Sequence, residues 1–142
     1  MNNSKALILS DRPELSSWRD AFVQRGLKVI ATSAPATARS HWLTEAPLLT
    51  VIDLSLPFVD CLEICRQLRA IAPAPILLIL PAANGNDLME AYRAGVTECL
   101  IQPASPAVIL LKALAWSMRS NWNIAEPASQ TYSWKPLSNV TA

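Results

Sequence analysis

Two aspartates stand where buried strands are expected to end, and their carboxylates are the groups with the clearest capacity for chemistry. Asp53 directly follows the continuous apolar run 48–52, and Asp11 comes just after the short β-type run 5–9. If both runs are strands of one parallel sheet, the two carboxylates emerge at the same edge of that sheet. Two carboxylates at one edge can hold a hard cation such as Mg2+ through oxygen ligands. The sequence therefore predicts an acidic crevice around Asp53.

The segments that would position these carboxylates alternate between strand and helix. Short apolar runs predict five strands, at 5–9, 27–31, 48–52, 76–80 and 98–101. Helices are predicted from Leu15 to a stop at Gly26, at about 35–45, from a cap at Asp60 to Ile71, from Asp87 to Gly95, and from about Ala107 to Ser120. Runs 48–52 and 76–80 have no polar alternation, which is typical of strands that are buried on both faces. The pattern predicts a doubly wound α/β domain with a five-stranded parallel sheet and a crevice at the carboxyl ends of the strands.

Composition limits the classes of function. A chain of 142 residues that is 51% hydrophobic suits one compact domain. Its formal charge of +1 gives no basic excess for direct contact with nucleic acid. Three cysteines and one histidine form no zinc-ligand pattern, so reduced, packed thiols are expected. We find neither a secretion signal nor an apolar stretch near the roughly 20 residues that a membrane helix needs. We therefore expect a cytoplasmic protein with no membrane contact.

Several blocks of sequence resemble the receiver domain of response regulators, which has the CheY-like fold and belongs to two-component signalling. The blocks are Ile8 to Pro13, VIDLSLPFVD from Val51 to Asp60, Ala94-Gly95, and Gln102-Pro103 with Ser105-Pro106. Their order and spacing agree with that family over roughly residues 4 to 120. The resemblance implies a (βα)5 fold for a receiver domain over residues 1–120. It also implies that Asp53 is the phosphoacceptor for a histidine kinase, and that Mg2+ is held by Asp11, Asp53 and the backbone carbonyl of Ser55.

Four site positions depart from the pattern of that family. Ser10 replaces the first acid of the metal-binding pair, Leu80 replaces a hydroxyl residue, Cys99 replaces the switch aromatic residue, and Gln102 replaces the phosphate-binding lysine. Cys61 also stands where a glycine is expected. One carboxylate fewer predicts weak Mg2+ binding. Neutral Gln102 cannot place positive charge against a phosphoryl group, so phosphoryl transfer is expected to be slow or absent. We interpret the chain as an atypical, degenerate receiver.

The last predicted helix, Ala107–Ser120, is apolar on nearly every side. Lys112 and Arg119 are its only charged residues. A helix of this kind is either buried or part of an interface, so we predict a homodimer through this helix, with Leu110 and Leu114 on the solvent side. Receivers of the OmpR/PhoB type dimerise through charged pairs on the fourth helix, fifth strand and fifth helix, and most of those charges are absent here. The alternative is a helix that packs only against its own domain and tail.

Residues 121–142 are rich in Asn, Ser, Thr and Pro, which predicts a linker or tail. The segment TYSWKPLSNVTA is similar to the first strand of a winged-helix effector domain, and any DNA contact would then be made by an effector domain outside this chain. The alternative is an aromatic tail that docks on its own domain or stays disordered.

The combined interpretation is a signalling and dimerisation module that is not an enzyme and that regulates transcription. Two other functions stay open. One is an active, Mg2+-dependent receiver that is phosphorylated on Asp53. The other is a stand-alone protein-binding adaptor without an effector domain.

Overall fold

Strands and helices alternate along the chain in the computed structural model, which describes residues 4–12 and 15–125. The strands are β1 (Lys5–Ser10), β2 (Lys28–Thr32), β3 (Leu49–Asp53), β4 (Ile76–Leu80) and β5 (Glu98–Ile101). The helices are α1 (Leu15–Gln24), α2 (Pro35–Glu45), α3 (Phe58–Ile71), α4 (Gly85–Arg93) and α5 (Pro106–Ala125). Every strand and helix that the sequence predicts is present.

The five strands form one parallel sheet in the order β2-β1-β3-β4-β5. Strand order reverses between β1 and β3, and the crevice of a doubly wound sheet lies at such a reversal. Ser10 at the end of β1 is paired with Asp53 at the end of β3. All residues of β3 and β4 are buried, as predicted. Thr50 of β3 is polar, and its buried hydroxyl accepts a hydrogen bond from the indole of Trp42. The predicted doubly wound α/β fold is confirmed.

Two apolar layers cover the sheet, one on each face. The first core layer packs Trp42 of α2, Leu62 and Leu68 of α3 and Ala91 of α4 against the sheet. In the second core layer, α1 and α5 cover the opposite face with side chains that are nearly or completely buried: Phe22, Ile109, Leu110 and Ala113. Helices on both faces leave the carboxyl edge of the sheet to loops, and this edge is where the polar residues collect.

Two helices begin earlier than the sequence predicts. The N-cap of α3 is Pro57 and not Asp60, which lies inside the first turn, where its negative charge faces the helix dipole favourably. The N-cap of α4 is Asn84: its side chain accepts a 2.8 Å bond from the amide of Asp87, whose carboxylate accepts one of 3.1 Å from the amide of Asn84. This reciprocal capping box includes the predicted turn in the helix.

Helix α5 runs to Ala125, beyond its predicted end at Ser120. Ser105 caps its start, because its hydroxyl accepts a 3.2 Å bond from the amide of Val108. The expectation that Leu110 faces solvent is wrong: it is 7% exposed and belongs to the second core layer, while Leu114 is partly buried there. The remainder of the predicted tail, 126–142, lies outside the described residues. Within the described ranges, no helix has the length and apolar character to cross a membrane.

Candidate functional site

The carboxyl edge of the sheet carries a polar cluster around Asp53, which we call the Asp53 cluster: Ser10, Asp11, Arg12, Asp53, Ser55 and Gln102. Strand β3 ends at the centre of the sheet, so Asp53 is only 3% exposed, and its strand partner Ser10 is 2% exposed. The residues that follow these strands fold back over the edge. The sequence-predicted residues of β1, β3 and the loop after β5 are thus brought together.

One oxygen of Asp53 is engaged by two donors. Asp53 Oδ1 accepts a bond from Nε of Arg12 at 3.2 Å and another from Nε2 of Gln102 at 3.2 Å. Arg12 lies in the turn after β1, where its amide donates to the hydroxyl of Ser10 at 3.1 Å. Gln102 follows β5, and its backbone N–H donates to the carbonyl of Leu80 at 2.8 Å. The ends of β1, β3 and β5 are therefore linked through one carboxylate.

Asp11 is bound to Ser55 on the other side of the cluster. Both carboxylate oxygens of Asp11 accept from the amide of Ser55, at 3.1 and 3.0 Å, and Oδ1 also accepts from its hydroxyl at 3.3 Å. The amide of Asp11 is 3.4 Å from the carbonyl of Asp53. The resemblance implies that Asp11 and the backbone carbonyl of Ser55 are both metal ligands, and the structure places these two residues in direct contact at the edge of the sheet.

Leu80 and Cys99, two further positions that differ from the pattern of the receiver family, belong to the apolar core. Leu80 is 4% exposed in the first core layer, and it contributes its carbonyl to the cluster through Gln102. Cys99 is half-buried against the same layer, opposite Leu78 in the sheet, and burial raises the pKa of its thiol to about 11.

Cys61 and Cys65 are buried free thiols of the first core layer. Burial raises the pKa of Cys61 above its ordinary value and that of Cys65 to about 12. The sulfur of Cys61 lies 3.9 Å from the carbonyl of Leu56. Neutral, buried thiols behave as small apolar residues, which is the packing role expected for the cysteines.

Arg12 is the member of the cluster that the sequence-based reasoning missed. Its side chain is 29% exposed and reaches the Asp53 side chain, which is 4% exposed. The available signal was a cation directly after Ser10 and Asp11, at the end of a buried strand. A positive charge at that point has an acidic neighbour within reach, because the ends of β1 and β3 are adjacent.

Comparisons with known proteins agree with this architecture. The family model of the response regulator receiver domain matches residues 6–114. The chain is 30% identical over 130 residues to the alkaline phosphatase synthesis transcriptional regulatory protein PhoP of Bacillus subtilis, covering 90% of this chain and 53% of that protein. It is 27% identical over 121 residues to the transcriptional regulatory protein ResD of the same organism, covering 84% of this chain and 50% of ResD. The chain thus spans about half the length of these curated relatives.

Solved structures show the same fold at lower identity. A two-component response regulator from Clostridium difficile superposes with a TM-score of 0.75 at 18% identity, covering 83% of this chain and 98% of that one. A CheY-like receiver domain protein from Methanospirillum hungatei superposes with a TM-score of 0.76 at 16% identity, covering 84% of this chain and 98% of that one. These structures show the shared fold, and the family match over 6–114 identifies the chain as a member of the response regulator receiver family of two-component signalling.

Proposed function

We propose that this chain is an atypical receiver module that works with weak or absent phosphorylation of Asp53 and regulates transcription as a dimer. The observation that carries the proposal is the engagement of Asp53 Oδ1 by both Arg12 and Gln102. A carboxylate that attacks a phosphoryl group must offer an oxygen lone pair to phosphorus. Here two donors engage Oδ1, and one of them carries a full positive charge, which lowers the nucleophilicity of the carboxylate.

The charges of the cluster also disfavour phosphoryl transfer. Enzymes and receivers accelerate this reaction by placing positive charge against the oxygens of the transferred group. Gln102 is neutral, and the positive charge of Arg12 is paired with Oδ1 of Asp53. This arrangement stabilises the carboxylate in its ground state, which supports slow or absent transfer over the active-receiver alternative.

The proposed biological setting comes from the relatives. Those named above are called transcriptional regulatory proteins, and this chain spans about half of their length. We assign residues 1–120 to the receiver, whose last helix continues to Ala125, and the remainder up to residue 142 to a linker or tail that leads to an effector domain outside this chain. That effector domain would make the DNA contacts, because the formal charge of +1 gives this chain no basic excess. A histidine kinase is the partner that the family implies.

Exposed apolar side chains on α5 support the dimer. Val108, Leu111 and Met118 are 43%, 65% and 68% exposed, and Ala115 between them is also exposed. These four positions are separated by three, four and three residues, which is the spacing of a coiled-coil seam. A seam with this repeat fits a second helix of the same repeat, and a second copy of this chain supplies one.

Charges beside this seam favour a parallel dimer. Lys112 and Arg119 each follow a seam residue and are held within their own chain, Lys112 by Glu98 at 2.9 Å and Arg119 at 4.7 Å over the ring of Trp116. An antiparallel pair would bring these basic positions of the two copies together. A parallel pair places Lys112 opposite Ala107 and Arg119 opposite Leu114 of the partner helix, and both of those residues are neutral.

The proposed loss of phosphate response is tested by NMR on the isotopically labelled protein. Mg2+ with beryllofluoride, which mimics a phosphoryl group on a carboxylate, is titrated into the wild-type protein and into Asp53→Asn. We expect the backbone amide resonances of Gln102, Cys99 and the residue at position 53 to stay in place in both proteins. Saturable shifts in the wild type that Asp53→Asn lacks would establish the active receiver instead.

A further inference from the structure

Arg12 lies beside Asp53, the carboxylate that the family resemblance makes a metal ligand. The turn after β1 brings the guanidinium to 3.2 Å from Asp53 Oδ1, and the hydroxyl of Ser10 fixes the backbone of that turn through the amide of Arg12. The Arg12 side chain is 29% exposed, so most of it is packed at the edge of the sheet and not extended into solvent. This position is set by neighbouring strand ends in register, and it does not depend on a surface contact.

The residues of the Asp53 cluster do not fit a divalent cation. Mg2+ requires near-octahedral oxygen ligands and gives up its waters reluctantly. The Asp11 oxygens already accept from Ser55, and Asp53 Oδ1 accepts from Arg12 and Gln102. Ser10 supplies a neutral hydroxyl in place of a carboxylate, and Arg12 adds a like charge that repels a cation.

We propose that Arg12 is a resident counter-ion of Asp53 that takes the place of the divalent cation at this site. Arg12 neutralises the buried carboxylate from within the chain, so the cluster needs no metal to be stable. Gln102 binds the same oxygen, and the ends of β1, β3 and β5 are therefore held together without metal or phosphate. This inference rests on the proposed function and gives it a cause: the receiver keeps one conformation because its own arginine fixes the site.

The central test measures Mn2+ binding by electron paramagnetic resonance, in which free hydrated Mn2+ gives the signal and Mn2+ stands in for Mg2+. The full chain is titrated as wild type, Arg12→Ala and Arg12→Gln. Removal of a like charge a few ångströms from the site should tighten Mn2+ binding at least about tenfold in both variants. Arg66→Ala is the matched control, because Arg66 is an exposed arginine of α3 that pairs with Glu63, and it should bind Mn2+ as the wild type does. Equal Mn2+ affinity of the wild type and the Arg12 variants would overturn the proposal.

Two further variants locate the metal and separate charge from shape. Asp53→Asn added to Arg12→Ala should abolish the gained Mn2+ binding, which places the ion in this cluster. Arg12→Lys retains the positive charge and should exclude Mn2+ as the wild type does. Tight Mn2+ binding by Arg12→Lys would contradict the role of the charge.

A measurement on the wild type keeps the proposal testable if the Arg12 variants fail to fold. The side-chain Nε–H of Arg12 should give a resolved, exchange-protected NMR signal that disappears in Asp53→Asn. Absence of that signal in the wild type would overturn the ion pair. Failure of this proposal is distinguishable from failure of the proposed function. A wild type that binds Mn2+ weakly but still responds to beryllofluoride refutes only the loss of phosphorylation. A wild type that does not respond to beryllofluoride, together with an Arg12→Ala variant that gains no Mn2+ affinity, refutes only the role of Arg12.

Discussion

Leu111→Glu is predicted to dissociate the dimer, because it places a charge in the centre of the proposed α5 seam. Leu111 is 65% exposed in the single chain. Burial of a whole leucine side chain stabilises by about 1.5–3 kcal/mol, so burial of the exposed part contributes about 1–2 kcal/mol for each copy. Two copies lose about 2–4 kcal/mol, which weakens the dimer roughly 30-fold to several hundredfold. Desolvation of two facing carboxylates increases that loss.

Sedimentation equilibrium at micromolar concentration measures this effect, first in metal-free buffer and then with Mg2+ and acetyl phosphate. Leu43→Glu is the matched control, because Leu43 lies on α2 and is 61% exposed. That control should dimerise as the wild type does, and both variants should keep the far-UV circular dichroism spectrum of the wild type. The dimer hypothesis is refuted if both variants have the dimer affinity of the wild type. A wild type that is monomeric without phosphate and dimeric only with it would refute a constitutive dimer.

Three further predictions concern the fold around the site. Gly95→Ala should lower the free energy of unfolding in urea by about 2 kcal/mol or more, because Gly95 has φ +102° and an added Cβ would lie 2.7 Å from Cγ of Arg69. Gly85→Ala is the control: an added Cβ meets open space there, so this variant should lose far less stability. Cys99 should react with thiol reagents at pH 8 about 100-fold more slowly than an ordinary thiol, because its pKa of about 11 exceeds the ordinary 9.0. Partial burial raises the pKa of Glu98, but hydrogen bonds from Trp116 and Lys112 of α5 outweigh burial and hold this pKa below 4.5. The stabilisation that the Glu98 carboxylate gives is therefore present above pH 4.5 and is lost as the pH falls further. The difference in free energy of unfolding between the wild type and Glu98→Gln should shrink between pH 5 and pH 3.

The fold could be predicted from the sequence because its strands are short apolar runs. The runs at β4 and β5 have the predicted bounds, and α2 covers the predicted range. Helix starts are harder to predict, since several neighbouring residues can serve as the N-cap of a helix. Asn84 caps α4 ahead of Asp87, and Pro57 is the N-cap of α3 ahead of Asp60. The sequence pattern defines the presence of each helix better than its first residue.

The orientation of side chains on α5 and in loops could not be read from periodicity. A helix that is apolar nearly all round has no preferred face in sequence, so only packing against α1 and the sheet distinguishes buried Leu110 from exposed Leu111. Strand ends predicted that Asp53, Asp11 and Gln102 would share one edge. The contact from Arg12 to Asp53 joins residues far apart in the chain through a loop side chain, and loop geometry carries no periodic signal.

The central claim is that Asp53 is held by its own chain and is therefore phosphorylated weakly or not at all. The most direct test follows intact mass after incubation with Mg2+ and acetyl phosphate, for the wild type and for two repaired variants. Ser10→Asp, Leu80→Thr and Gln102→Lys together return a ligand, a hydroxyl and a cation, and the second variant adds Arg12→Ala to free the carboxylate. We predict no gain in the wild type, little in the triple variant, and the mass of one phosphoryl group in the quadruple variant, abolished by Asp53→Asn. A wild type that gains a phosphoryl group on Asp53 as fast as the quadruple variant would contradict the account.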